Sequence, residues 1–182
     1  MAAGSSLPPD MVLGVMAPAN GTVTIEKLAA NAVMAGCLPE YFPVVVTGMQ
    51  AVLRTEFNIG GLATTTGGGA PGFIVSGRIA DDLSAGGTGC FGPGYRANLA
   101  IGRALRLAIR NLGGAHLGDM DKSTQTWPGN LGFCFAENVA RSSFEPLRVA
   151  EGFSADTSTL PVLGLRGCIT LTRPRKRPDA EI

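Results

Sequence analysis

A chain of 182 residues, 45% hydrophobic, has the length and apolar content for one domain with a core of its own, which excludes a disordered body. Its net charge of +1 gives no overall basic footprint for nucleic acid. Charged residues make up only 16%, against about a quarter in an average domain, so the surface is apolar enough to expect buried subunit contacts.

Residues 1–9 are small, polar and proline-bearing and read as a disordered arm. Residues 10–172 read as a single globular domain. Residues 11–16 suit a short strand, weakened by Gly14. Thr22 or Thr24 can cap a helix running to about Ala35, with Ile25, Leu28, Ala32 and Ala35 on one side and Gly36 ending it. Pro39 and Glu40 suit the first turn of a second helix over 39–54, where Pro43 is tolerable only near the start. Residues 58–72 are rich in glycine and threonine, and 73–76 read as a buried strand. A third helix follows over 95–111, closed by Gly113 and Gly114. Its small interior residues, Ala97, Ala100, Gly102, Ala104 and Ala108, imply that another backbone packs closely against it. Residues 114–130 form a polar loop, and strands are predicted over 131–136 and 168–172. The tail, 173–182, is basic and reads as disordered. No run of 18 apolar residues lacks charge, and Arg96, Arg103, Arg106 and Arg110 rule out a membrane span over the third helix.

The densest chemistry lies at 86–94, GGTGCFGPG, which runs into the third helix. Helix starts leave backbone N–H groups unpaired and favour anions and thiolates. Gly87, Gly89 and Gly92 match a dinucleotide-binding spacing, but no strand runs directly into the loop and no acid follows about 20 residues on. A nest of N–H groups for a carboxylate or phosphate and a purely structural turn both stay open. Gly89, Gly92, Gly94, Asn98 and Arg96 are the candidate binding residues there. Arg96 is a cation in a first turn, which makes sense beside an anion. Arg96, Arg103 and Arg110 share one helix face, to meet an acidic partner or solvent. Thr65, in the run 64–66, offers a hydroxyl donor.

Four cysteines, Cys37, Cys90, Cys134 and Cys168, match no zinc spacing, and the N-terminal residues carry no signal segment; free thiols in a reducing cytoplasm are expected. Cys37 and Cys90 stand near helix starts and are candidate nucleophiles or redox thiols, with Glu40 or Glu137 to move protons. Cys134 and Cys168 read as core. The Asp119-x-Asp121 pair is a common loop pattern and no metal is predicted. His116 is the single histidine and no G-x-S-x-G elbow is present, which argues against a serine hydrolase.

Six blocks in order, TIEKLAANAVMAGCLPEY (24–41), FGPGYRAN (91–98), IGRALR (101–106), NLGGA (111–115), FCFAEN (133–138) and FEPL (144–147), resemble a bacterial family that occurs alongside, or fused to, the UGSC-motif (seleno)proteins. The similarity covers roughly 10–155. It implies a two-component enzyme, in which a partner carries the Cys/Sec-Gly-Ser-Cys motif and this chain supplies the rest of the site. Positions matching the blocks include Asn31, Cys37, Glu40, Arg96, Asn98 and Arg103, with Asp121, Lys122, Glu137 and Asn138 further on. This chain lacks the motif itself. It also departs from the family at 64–69, where a histidine is expected nearby.

The fold expected is α/β or α+β, a single domain of about three main helices packed on a short mixed sheet. The function expected is an enzyme subunit of a heteromeric, thiol-dependent oxidoreductase or lyase. It would act on a small anionic metabolite beside a UGSC-type partner, or as a homo-oligomer, with no cofactor predicted. The alternatives are a non-catalytic scaffolding subunit or a small-molecule binding module.

Overall fold

The computed structural model describes residues 5–89, 94–125 and 127–169; Cys90, Gly92 and the basic tail from 173 lie outside these, as does the start of the N-terminal arm. The described part of that arm is tied down. Glu26 N–H donates to the Pro9 carbonyl at 2.8 Å, Met11 N–H to the Pro8 carbonyl at 3.1 Å, and Leu7 packs on the core.

Two strands, β1 (Val12–Met16) and β2 (Gly21–Thr24), pair antiparallel. The sequence reading has β2 only as capping threonines. Thr24 serves both purposes: it ends the strand, and its Oγ1 accepts from Lys27 N–H at 3.3 Å to open α1 (Ile25–Met34). Gly36, with φ +82°, takes the chain out of the helix, a conformation that costs glycine little. The predicted second helix starts as a 3-10 turn (Pro39–Tyr41) and becomes α2 (Phe42–Val52), with Pro43 in its first turn where no N–H is needed. A short helix, α3 (Ile59–Ala63), leads to the strand β3 (Ala70–Val75), which is almost wholly buried.

The chain then makes a one-turn helix, α4 (Arg78–Asp82), and the long helix α5 (Arg96–Gly113), closed by Gly114 in the left-handed region. The strand β4 (Phe133–Ala136) lies parallel to β3, an arrangement that requires such a crossover. A further one-turn helix, α6 (Leu147–Ala150), precedes β5 (Val162–Leu165), which pairs antiparallel on the other edge of β3. The sheet order is therefore β4-β3-β5. The strand expected over 168–172 is not there as read. Cys168 and Ile169 carry no strand, and residues 170–172 lie outside the described ones. The strand sits six residues earlier, where Pro161 and Gly164 mask a short edge segment.

The fold is thus α+β, three main helices on a small mixed sheet. α5 packs on α1, α2 and β4 at once. Ile101, Leu105 and Ile109 from α5 join Phe42 and Phe73 among the fully buried side chains. Each such side chain contributes about 1.5–3 kcal/mol of burial. The small residues of α5 do what their pattern implies. A Cβ on Gly102 would stand 2.9 Å from the backbone carbon of Gly132, in the turn entering β4, and one on Gly132 would meet Gly102 at 2.5 Å. Helix and strand backbones touch there, and only paired glycines permit it.

Candidate functional site

β3 and β4 run parallel and end side by side, at Val75 and Ala136. The residues just past the two ends, Ser76 and Glu137, therefore meet. Ser76 is fully buried and its hydroxyl donates to Glu137 Oε2. Arg148 comes to the same point from α6. Its Nη1 donates to Ser76 Oγ at 3.0 Å and lies 3.9 Å from Glu137 Oε2, while its Nε donates to the Ala155 carbonyl at 3.0 Å. The second carboxylate oxygen, Oε1, accepts from Leu147 N–H at 2.7 Å. Both side chains are largely buried, at 18% and 12% exposed, and each neutralises the other where water is scarce.

This cluster opens into a crevice of about 780 Å³ that Arg78, Asp81, Asn138 and Asp156 also line. Ligands of open sheets bind beyond the carboxyl ends of parallel strands, and the crevice has that position. The described start of the glycine loop forms one wall. Asn98, buried in α5, clamps Gly86 in both directions: its Nδ2 donates to the Gly86 carbonyl at 2.7 Å, and its Oδ1 accepts from Gly86 N–H at 3.1 Å. Ala136 N–H donates to the same carbonyl at 3.0 Å. Gly87 then lies against the Ala136 carbonyl and Asn138, with no room for a Cβ.

The other candidates fall elsewhere. Cys37 is buried, and its thiol donates to the Ala100 carbonyl at 3.3 Å. Burial pushes it up to about 11, against the pull of Arg96. Cys134, inside β4, is pushed up to about 12 by burial and by Cys37 nearby. Both are protonated at neutral pH. The described cysteines, Cys37, Cys134 and Cys168, are all free; Cys168, expected in the core, is exposed because it lies past the end of β5 rather than inside a strand. Arg96 is exposed and donates through Nη2 to the Gly36 carbonyl at 3.2 Å, tying the start of α5 to the end of α1; Gly94 lines the shallow groove beside it. Gly89 has φ +65°. Glu40 is exposed in its 3-10 turn. Thr65 Oγ1 accepts from Gly67 N–H at 3.0 Å, before β3 begins and so at the opposite end of the strand from Glu137.

Asp121 belongs to a third place. Its Oδ2 accepts from Arg106 Nη2 at 2.9 Å, and its Oδ1 accepts from the hydroxyl and N–H of Ser123. Burial alone would raise its pKa, but these hydrogen bonds and the Arg106 charge together hold the carboxyl below its usual range. They fix the 114–130 loop to α5. Lys122 closes a turn onto the Gly118 carbonyl at 2.8 Å. Among the described residues no group of three or more His, Cys, Asp or Glu side chains stands ready for a metal.

Of the residues singled out in the sequence, Gly87, Glu137 and Asn138 line the crevice, and Asn98 holds the adjoining Gly86 from behind. Ser76 and Arg148 escaped notice, being 61 and 11 residues from Glu137 with no motif linking them. The one signal was the FEPL block, which ends just before Arg148. No protein-family model matches the chain, no curated protein matches it, and no solved structure matches it. In the described residues no helix is long and apolar enough to cross a membrane.

Proposed function

We propose that this chain is an enzyme subunit that binds a small anionic metabolite in the crevice beyond β3 and β4. Arg148 holds the anion and Glu137 carries protons. The observation that supports it best is the Ser76–Glu137–Arg148 cluster, a carboxylate and a guanidinium held by fixed partners at the edge of a crevice. A guanidinium has five donors. Nε and Nη1 of Arg148 have partners, whereas among the described residues nothing hydrogen-bonds to its Nη2. Glu137 accepts one hydrogen bond on each oxygen, which leaves a lone pair on each for a substrate proton. Binding energy at the fixed charges and a positioned carboxylate are the elements of general acid–base catalysis.

The buried thiols bear on the rest of the reading. Cys37 and Cys134 are held protonated, so neither is the thiolate that redox or carbon–sulfur chemistry needs. This fits a site completed by a UGSC-type partner, with this chain supplying the anion cradle and the proton carrier.

Melting of the purified chain in a panel of small carboxylates and phosphate tests the binding half. At a hundredfold excess over Kd a specific ligand raises Tm by roughly 5–10 °C. Arg148→Lys removes the fork and the shift with it. Glu137→Gln keeps the shift and abolishes turnover by the chain reconstituted with its partner. A shift equal in wild type and Arg148→Lys contradicts the assignment. A non-catalytic binding module gives the same shift but no turnover with any partner.

A further inference from the structure

The outer face of α5 belongs neither to the core nor to the crevice. Arg96, Arg103 and Arg110 recur every seven residues along it, about 10.5 Å apart at the helical rise. The helix contains no acidic residue. Arg106 is neutralised by Asp121, whereas among the described residues Arg103 and Arg110 have neither hydrogen bond nor ion pair, and Arg96 reaches only a carbonyl. Large apolar side chains stand between and beside these cations: Leu99 is 52% exposed, Leu117 62% and Leu131 72%. Two grooves, of about 550 and 310 Å³, run along this face and meet at Arg103. Neither has an acidic residue in its lining.

We infer that this face docks an acidic amphipathic helix of a different protein. Cations spaced by seven with leucines between them are the complement of a helix that carries carboxylates at the same spacing and apolar residues beside them. A second copy of this chain presenting the same face would set three unneutralised arginines against three, so like charge excludes a symmetric dimer here. A nucleic-acid backbone would meet the arginines but leave the leucines unmatched. No residue lines both this face and the crevice.

Trp127, the single tryptophan of the chain, lines the smaller groove and reports on its occupancy. The probe is a designed helical peptide as long as α5, with glutamate every seventh residue and leucines between. Titrated into the full chain, it is expected to shift Trp127 emission saturably and to weaken with salt. A lysine-for-glutamate peptide gives no shift. Arg103→Gln and Arg110→Gln each weaken binding about two- to fivefold, and the two arginines changed to glutamate together weaken it about tenfold or more. Both side chains are exposed, so the variants fold and keep their melting temperature. Three outcomes overturn the inference: no emission change with the acidic peptide, affinity unchanged in the arginine variants, or tighter binding of a single-stranded oligonucleotide of matched charge.

Discussion

The buried thiols and the Glu137–Arg148 pair are both drawn away from water, and they are buried differently. Cys37 and Cys134 sit where α5 meets β4, among apolar side chains, and desolvation drives both thiols to their neutral form. Glu137 and Arg148 sit where β3 and β4 end, somewhat more open to water, and each brings the other's counter-charge and further hydrogen bonds. Burial without a partner favours the neutral thiol, whereas a buried ion pair gains from the geometry its hydrogen bonds fix. The thiols draw the eye in the sequence, and the carboxylate–guanidinium pair is what the proposed function rests on.

The largest expected effect comes from prying the thiol region open. Gly102→Val places side-chain atoms against the Gly132 backbone and costs about 3 kcal/mol or more by denaturant unfolding. If α5 and β4 separate as expected, Cys134 becomes reactive toward iodoacetamide in the same variant. Arg148→Ala removes one half of the buried pair and costs about 2–3 kcal/mol, discounted for its partial exposure. Replacing both Glu137 and Arg148 by leucine recovers most of that loss, which a double-mutant cycle measures directly. Additive losses would dissolve the contrast between the two regions.

Alkaline titration sharpens the same contrast. In the folded chain Cys37 ionises near 11 and Cys134 near 12, against 9.0 for an ordinary thiol. The unfolded chain therefore loses these protons first. Their stabilising contribution is full below pH 9 and falls as pH rises through the window from 9 to about 12. Iodoacetamide at neutral pH leaves both unlabelled for as long as the chain stays folded. Asp121 has the opposite sign: with a lowered folded pKa, its contribution is present above the usual carboxylate range and is lost as pH falls through the folded value. The smallest effect is at the surface, where Arg110→Gln changes stability by no more than about 0.5 kcal/mol.

The sequence made the three main helices readable, though not the short α3, α4 and α6, because their ends are chemical. Thr24, Gly36, Pro39 and Gly114 mark boundaries by capping, left-handed backbone or a missing donor, all local properties. The close approach at Gly102 was likewise visible as small residues in an apolar helix. β2 and β5 were not, since short strands with glycine inside take their identity from a partner strand, and for β5 that partner is about ninety residues away. The site divided in the same manner. Glu137 was legible as an acid just past a strand, whereas Ser76 and Arg148 acquire meaning only when parallel pairing brings two strand ends together and α6 folds over them. Cys37 was readable as a thiol near a helix start, but the burial that neutralises it was not.

The proposed function has the crevice beyond β3 and β4 hold a small anion on Arg148. Side-chain and backbone NMR of the nitrogen-labelled chain during titration with a small carboxylate tests it most directly. Saturable shifts are expected at the Arg148 guanidinium and the Leu147 and Gly87 amides, lost in Arg148→Lys. Shifts confined to Gly94 and Arg96 at the start of α5, or none anywhere, would contradict it.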